Sequence, residues 1–110
     1  MIPINELRVG ITVNTLNGYK TLSDFKMLND AANFPGFYNP IQLTPEILAK
    51  CGFKQTKGVG GAECWDNGNI EINKEVDGYA GFASGKPFQH IHQLQNLYFD
   101  LTADELNVQL

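Results

Sequence analysis

The chain is short of most residues that carry chemistry. Among its 110 residues are two cysteines, two histidines, one tryptophan, and eight Lys and Arg set against twelve Asp and Glu. The resulting charge of −4 disfavours a broad phosphate-binding face, yet is too mild for a mimic of DNA. No apolar run approaches the length of a membrane span, and Met1 to Gly10 has neither the charged start nor the apolar centre of a signal peptide. A cytoplasmic protein is therefore expected, with Cys51 and Cys64 as two reduced, partly buried thiols rather than a disulfide.

The same scarcity limits catalysis and metal binding. Cys51, Cys64, His90 and His92 are zinc-ligand types, but their spacing matches no compact finger. On a helix, positions two apart point about 200° from each other, so His90 and His92 would share a metal only in extended backbone. Neither cysteine lies in a context that favours a thiolate for His92 to activate. Lys57-Gly58-Val59-Gly60-Gly61 lacks the order of a phosphate-binding loop and no helix follows it. No catalytic residue, metal ligand or cofactor is expected.

What is present is a set of short elements with clear punctuation. In Glu6 to Leu16, Ile11 and Val13 alternate with Thr12 and Asn14 as in a half-buried strand. Asn17-Gly18 predicts a type I′ turn, with Tyr19 to Leu22 returning. Ser23 to Ala32 fits either period, a helix capped by Ser23 or a strand; continued strand followed by a turn is the expectation. Asn33 to Pro40 is rich in turn-formers and aromatics. Thr44 to Gly52 reads as a short helix, capped by Thr44, with Pro45 first and Gly52 after its last turn.

Phe53 to Lys57, Ala62 to Asp66 and Asn69 to Glu75 predict three strands, with a turn at Gly58 to Gly61 and a tight one at Asn67-Gly68. Ile70 and Ile72 should face inward together. Asp77 to Pro87 has three glycines and no period, which predicts a mobile loop. In His90 to Leu101, Ile91, Leu94, Leu97, Tyr98 and Leu101 fall on one helical stripe opposite Gln93, Asn96 and Asp100. His90 projects to the core edge and His92 toward solvent. Thr102 to Glu105 has the capping-box order of a new helical turn, and Leu106 to Leu110 alternates like a closing strand.

Together these give one α+β domain spanning residues 1–110. A mainly antiparallel sheet of short hairpin-connected strands should pack on one C-terminal helix from Phe88 to Leu101, beside a second short helix.

Ile41 to Phe53, IQLTPEILAKCGF, then HQLQNLYFDLTADEL, and the opening ELRVG, resemble a pattern found in short bacteriophage and prophage proteins. The likeness covers roughly half the chain. It implies a phage origin and, by analogy, a module that binds and blocks a host protein such as a CRISPR or other anti-phage defence effector. Its expected contacts are Phe37, Tyr38, Tyr79 and Phe82 from irregular loops, together with His92, Asn96 and Phe99 from the exposed side of the C-terminal helix. The alternative is an RNA or single-stranded nucleic-acid binder. There Tyr19, Phe37, Tyr38 and Trp65 would stack on bases while Lys20, Lys26, Lys54 and Lys57 contact phosphates. The negative balance counts against it.

Overall fold

The computed structural model describes residues 2–57, 63–81 and 87–110. Its order is a 3-10 turn at Ile4–Glu6, strands β1 (Thr12–Thr15) and β2 (Gly18–Thr21), helix α1 (Phe25–Asn33), a 3-10 turn at Pro35–Phe37 and helix α2 (Pro45–Lys50). Strands β3 (Lys54–Lys57), β4 (Glu63–Asp66), β5 (Glu71–Glu75) and β6 (Gly78–Gly81) precede helix α3 (Ile91–Thr102). The class is α+β. β1 and β2 form one antiparallel sheet, and β3 to β6 form a second in sequential order with α3 packed on it.

The first hairpin is displaced by one residue from the expected turn. Thr15 pairs with Gly18, so Leu16 and Asn17 make the loop and Gly18, at φ +98°, begins β2. A type I′ turn needs positive φ at both central residues, whereas among the described residues only Ala103 is a non-glycine with positive φ. At the other expected tight turn Asp66 pairs with Glu71, leaving the longer loop Asn67 to Ile70. There Asn67 Oδ1 accepts from the N–H groups of both Asn69 and Ile70 at 3.0 Å. Ile70 and Ile72 are both buried, as their alternation predicts. The turn expected at Gly58 to Gly61 lies outside the described residues.

Where a continued strand is expected after Leu22, the chain forms α1. Asp24, not Ser23, is its cap, accepting from the Met27 N–H at 2.9 Å. The strand reading fails because the alternation of Phe25 and Met27 is incidental: Phe25 is 81% exposed, and Ala31 is the buried position of the helix. α2 has every expected feature, with Thr44 Oγ1 accepting from the Ile47 N–H at 3.2 Å, Pro45 in the first turn and Gly52 at φ +88°. Asp77 to Pro87 is in part a strand, since Gly78–Gly81 pairs with β5.

α3 starts later than Phe88. Phe88 and His90 instead make strand-like bridges to Tyr79 and Gln42. Leu101 leaves the predicted stripe and is exposed. Thr102 does not open a new helix: its Oγ1 donates to Tyr98 O at 2.8 Å and accepts from the Asp104 N–H at 3.1 Å, while Ala103 terminates α3 at φ +61°. Leu106 to Leu110 forms no strand; Leu106 packs into the core.

Instead of one core, the described residues form two apolar clusters. The larger gathers Leu48 and Cys51 at α2, Trp65, Ile72 and Tyr79 from the second sheet, and Ile91, Leu94 and Tyr98 from α3. The smaller is N-terminal, built from Ile2, Ile11, Val13, Leu22 and Ala31. α3 borders both regions. Its apolar stripe covers the second sheet, while its polar side grips the N-terminal segment through hydrogen bonds. Gln95 Oε1 accepts from the Thr12 N–H at 2.6 Å, and its Nε2 donates to Gly10 O at 3.1 Å. Arg8 Nε donates to Asn96 Oδ1 at 2.6 Å, and Asn96 Nδ2 donates to Glu6 O at 3.1 Å. Among the described residues no helix is long and apolar enough to cross a membrane.

Candidate protein-binding surface

The N-terminal lobe, residues 2–40, is too small to bury its own apolar side chains. α1 turns Leu28 and Ala31 onto the smaller cluster and leaves Phe25 outside it. Beside Phe25 stands Ile4, 76% exposed on the first 3-10 turn. The two, with Leu7, Lys26, Leu28, Asn29 and Ala32, line an open groove of about 650 Å³. A second groove of about 330 Å³ lies where the hairpin tip meets the Pro35–Phe37 turn, lined by Leu16, Lys20, Met27, Phe37 and Tyr38.

Six of the ten large apolar side chains exposed among the described residues fall in this lobe: Ile4, Leu16, Tyr19, Phe25, Phe34 and Phe37. Its charges cancel, Glu6, Asp24 and Asp30 against Arg8, Lys20 and Lys26, so the whole −4 falls on the rest of the chain. The lobe thus presents apolar side chains on a surface with no net charge, a composition that suits a protein interface.

Among the described residues, those expected from sequence to make contacts do not form one surface: Phe37 and Tyr38 share a groove, whereas Tyr79, His92, Asn96 and Phe99 lie elsewhere. Phe37 is 54% exposed on the second groove, and Tyr38 is half-buried beside it. Tyr79 is not in a loop: β6 holds it in the larger cluster, 4% exposed, exchanging backbone hydrogen bonds with Phe88. Phe82 lies outside the described residues. Phe99 is exposed on α3, but the Arg8 guanidinium sits 4.7 Å over its ring. Asn96 is half-buried and committed to Arg8 and Glu6. The stacking platform of the nucleic-acid reading is likewise dispersed, since Trp65 is buried in the other sheet with Nε1 donating to Glu63 at 2.9 Å. Ile4, Leu16 and Phe25 are not anticipated from sequence. Their signal, an apolar residue at an element's edge with no periodic partner, is indistinguishable there from a core position.

His92 is the largest reversal. Expected in solvent, it is 1% exposed, because the polar side of α3 faces the Ile4–Glu6 turn. Its Nε2 lies 2.6 Å from Glu6 Oε1, its ring stacks on His90 at 5.7 Å, and its buried Nδ1 has no partner. Burial holds its pKa below the ordinary histidine value; the hydrogen bond and charge of Glu6 oppose that, and His90 adds to it.

The cysteines form no disulfide. Burial in the larger cluster pushes the Cys51 thiol up to about 11, and Cys64 Sγ lies 3.2 Å from Asn73 Oδ1. Among the described residues no three of His, Cys, Asp or Glu converge as metal ligands.

Fold and surface thus define a small α+β protein with an apolar, charge-balanced lobe. No family model matches the chain, and neither the curated proteins nor the solved structures contain a match.

Proposed function

We propose that the protein is a binding module that acts without catalysis, holding a protein partner through the apolar surface of its N-terminal lobe. The observation that carries this reading is the concentration of exposed apolar side chains, Phe25 and Phe37 foremost, on the part of the chain whose charges cancel. Large aromatic rings on such a surface are the usual anchors of protein interfaces. The likeness to short phage proteins directs the search for the partner to bacterial host proteins, CRISPR and other defence effectors among them, whose activity the module would block by occupying their surface.

The test begins with capture of a partner from host lysate on the immobilised protein. Phe25→Ala and Phe37→Ala are then titrated against it. At least one should weaken binding by about 2 kcal/mol or more, as anchor residues do. Both side chains are largely solvated, so melting should stay at the parental temperature. Parental affinity in both folded variants would sink the reading.

A further inference from the structure

Among the described residues the two sheets have four outer strands, and the chain treats them unequally. β1 is closed along its length. The Thr12 N–H donates to Gln95 Oε1 at 2.6 Å, and Asn14 exchanges both of its backbone bonds with Asn39 at 2.9 Å. β6 is closed by Phe88, which exchanges bonds with Tyr79 at 2.7 and 2.8 Å. Among the described residues β3, KQTK, is also open, but Lys54 and Lys57 put two positive charges on its four residues against the single Lys20 of β2, and lysines on an edge strand discourage a further strand. β2 is different. The Leu22 N–H donates inward to Ile11 O at 2.9 Å, so by alternation Lys20 and Gly18 also bond inward to β1. Tyr19 and Thr21 therefore direct their N–H and C=O groups outward, and among the described residues nothing bonds to them.

We infer that β2 is a docking edge that takes an extended segment of a partner protein as a third strand, with a carboxylate of that segment set opposite Lys20. The inference rests on the binding-module reading and supplies the chemistry of the partner. The outward groups of Tyr19 and Thr21 provide backbone pairing, the mode by which exposed sheet edges capture peptides. Side-chain alternation supplies selectivity. Lys20 shares a face with Val13 and points toward the groove at Met27 and Phe37. It is exposed and has no carboxylate within ion-pairing distance among the described residues. Tyr19 and Thr21 project on the opposite face, where β-branched or aromatic partners pack best. The segment that fits reads apolar, acidic, apolar across Tyr19, Lys20 and Thr21. A second copy of the chain fits poorly. β2 contains no acidic residue, and self-pairing would put the two Lys20 ammonium groups on one face near each other.

The experiment selects ten-residue peptides from a randomised display library on the immobilised full chain. Enriched peptides should share an acidic residue flanked by apolar ones, and binding should slow hydrogen exchange at the Tyr19 and Thr21 amides of the isotope-labelled protein. Lys20→Glu, at an exposed position, should weaken these peptides about tenfold and select basic residues in place of acidic ones. No enrichment, enrichment without a charge preference, or protection that falls elsewhere overturns the inference. So does concentration-dependent protection of Tyr19 and Thr21 without peptide, which would assign the edge to a second copy. Peptides that leave β2 unprotected yet lose affinity in Phe25→Ala would sink the docking edge alone. Peptides held on β2 at undiminished affinity in Phe25→Ala and Phe37→Ala would preserve the edge and count against the apolar surface as the partner site.

Discussion

His92 shows what a single buried imidazole does to pH behaviour. Desolvation favours its neutral form, and protonation would create an Nδ1–H with no acceptor in reach. The sign follows from linkage. The unfolded chain takes up the proton near the ordinary value of about 6.5 and the folded chain takes it up only at lower pH. The unfolded state then binds more protons, so stability falls as pH drops through about 6.5 and levels off below the folded value. Glu6 moderates the loss, since its carboxylate favours the cation. Urea unfolding at pH 7.5 and 5.5 should show a lower midpoint at 5.5 for the parent and a smaller change for His92→Gln, which keeps a donor toward Glu6. Equal changes in the two proteins would place the titration elsewhere. None of this is legible in the sequence, because the residue that buries His92 lies 86 positions away.

At the level of elements, legibility tracks how local the determinants are. α2 is written wholly within Thr44 to Gly52: cap, first-turn proline, acid at the positive end and left-handed glycine agree, and the helix is where they place it. α1 is hidden because its most conspicuous apolar residue, Phe25, points away from the core, which spoils the period by which helices are recognised. Its cap was legible one residue away from Ser23. Asp24→Ala should cost about 1 kcal/mol, while Ser23→Ala should be nearly neutral, as read from chemical denaturation of the two variants. A larger cost at Ser23 would contradict the cap geometry. The end of α3 fails for a related reason. Thr102 has the sequence context of a helix start, but Leu106 is drawn into the larger cluster, so the chain bends there instead of beginning a new turn. Of the candidate surface, Phe37 and Tyr38 were legible as loop aromatics. Tyr79 was not, because two of the glycines that suggest a loop, Gly78 and Gly81, are the ends of β6.

For the whole molecule, the decisive feature is that its two clusters meet across a polar seam. Apolar periodicity finds each cluster but is blind to the seam, whose members are glutamine, asparagine, arginine and glutamate. Gln95 is its most exacting contact. It is 1% exposed, and its amide takes the place of a neighbouring strand for Gly10 and Thr12. Gln95→Leu, nearly matched in volume, should cost about 2–3 kcal/mol by leaving a buried N–H and C=O unpaired. Exchange at the Thr12 amide should accelerate while the amides of β4 and β5 keep their protection. Uniform acceleration throughout the protein would mean that the seam and both clusters unfold as one.

The same contact has a consequence for synthesis. Gln95 and Thr12 are 83 positions apart, and a ribosome adding about 5–20 residues per second needs roughly 4 to 17 s to make that length. β1 and β2 can pair as soon as they emerge, and Asn39 can reach Asn14 soon afterwards. The Thr12 end of β1 waits for nearly the whole chain. During that interval the nascent N-terminal lobe has unpaired backbone on both sides of its hairpin, and a slower rate of translation would lengthen the time in which a chaperone, or another nascent chain, could occupy the place reserved for Gln95.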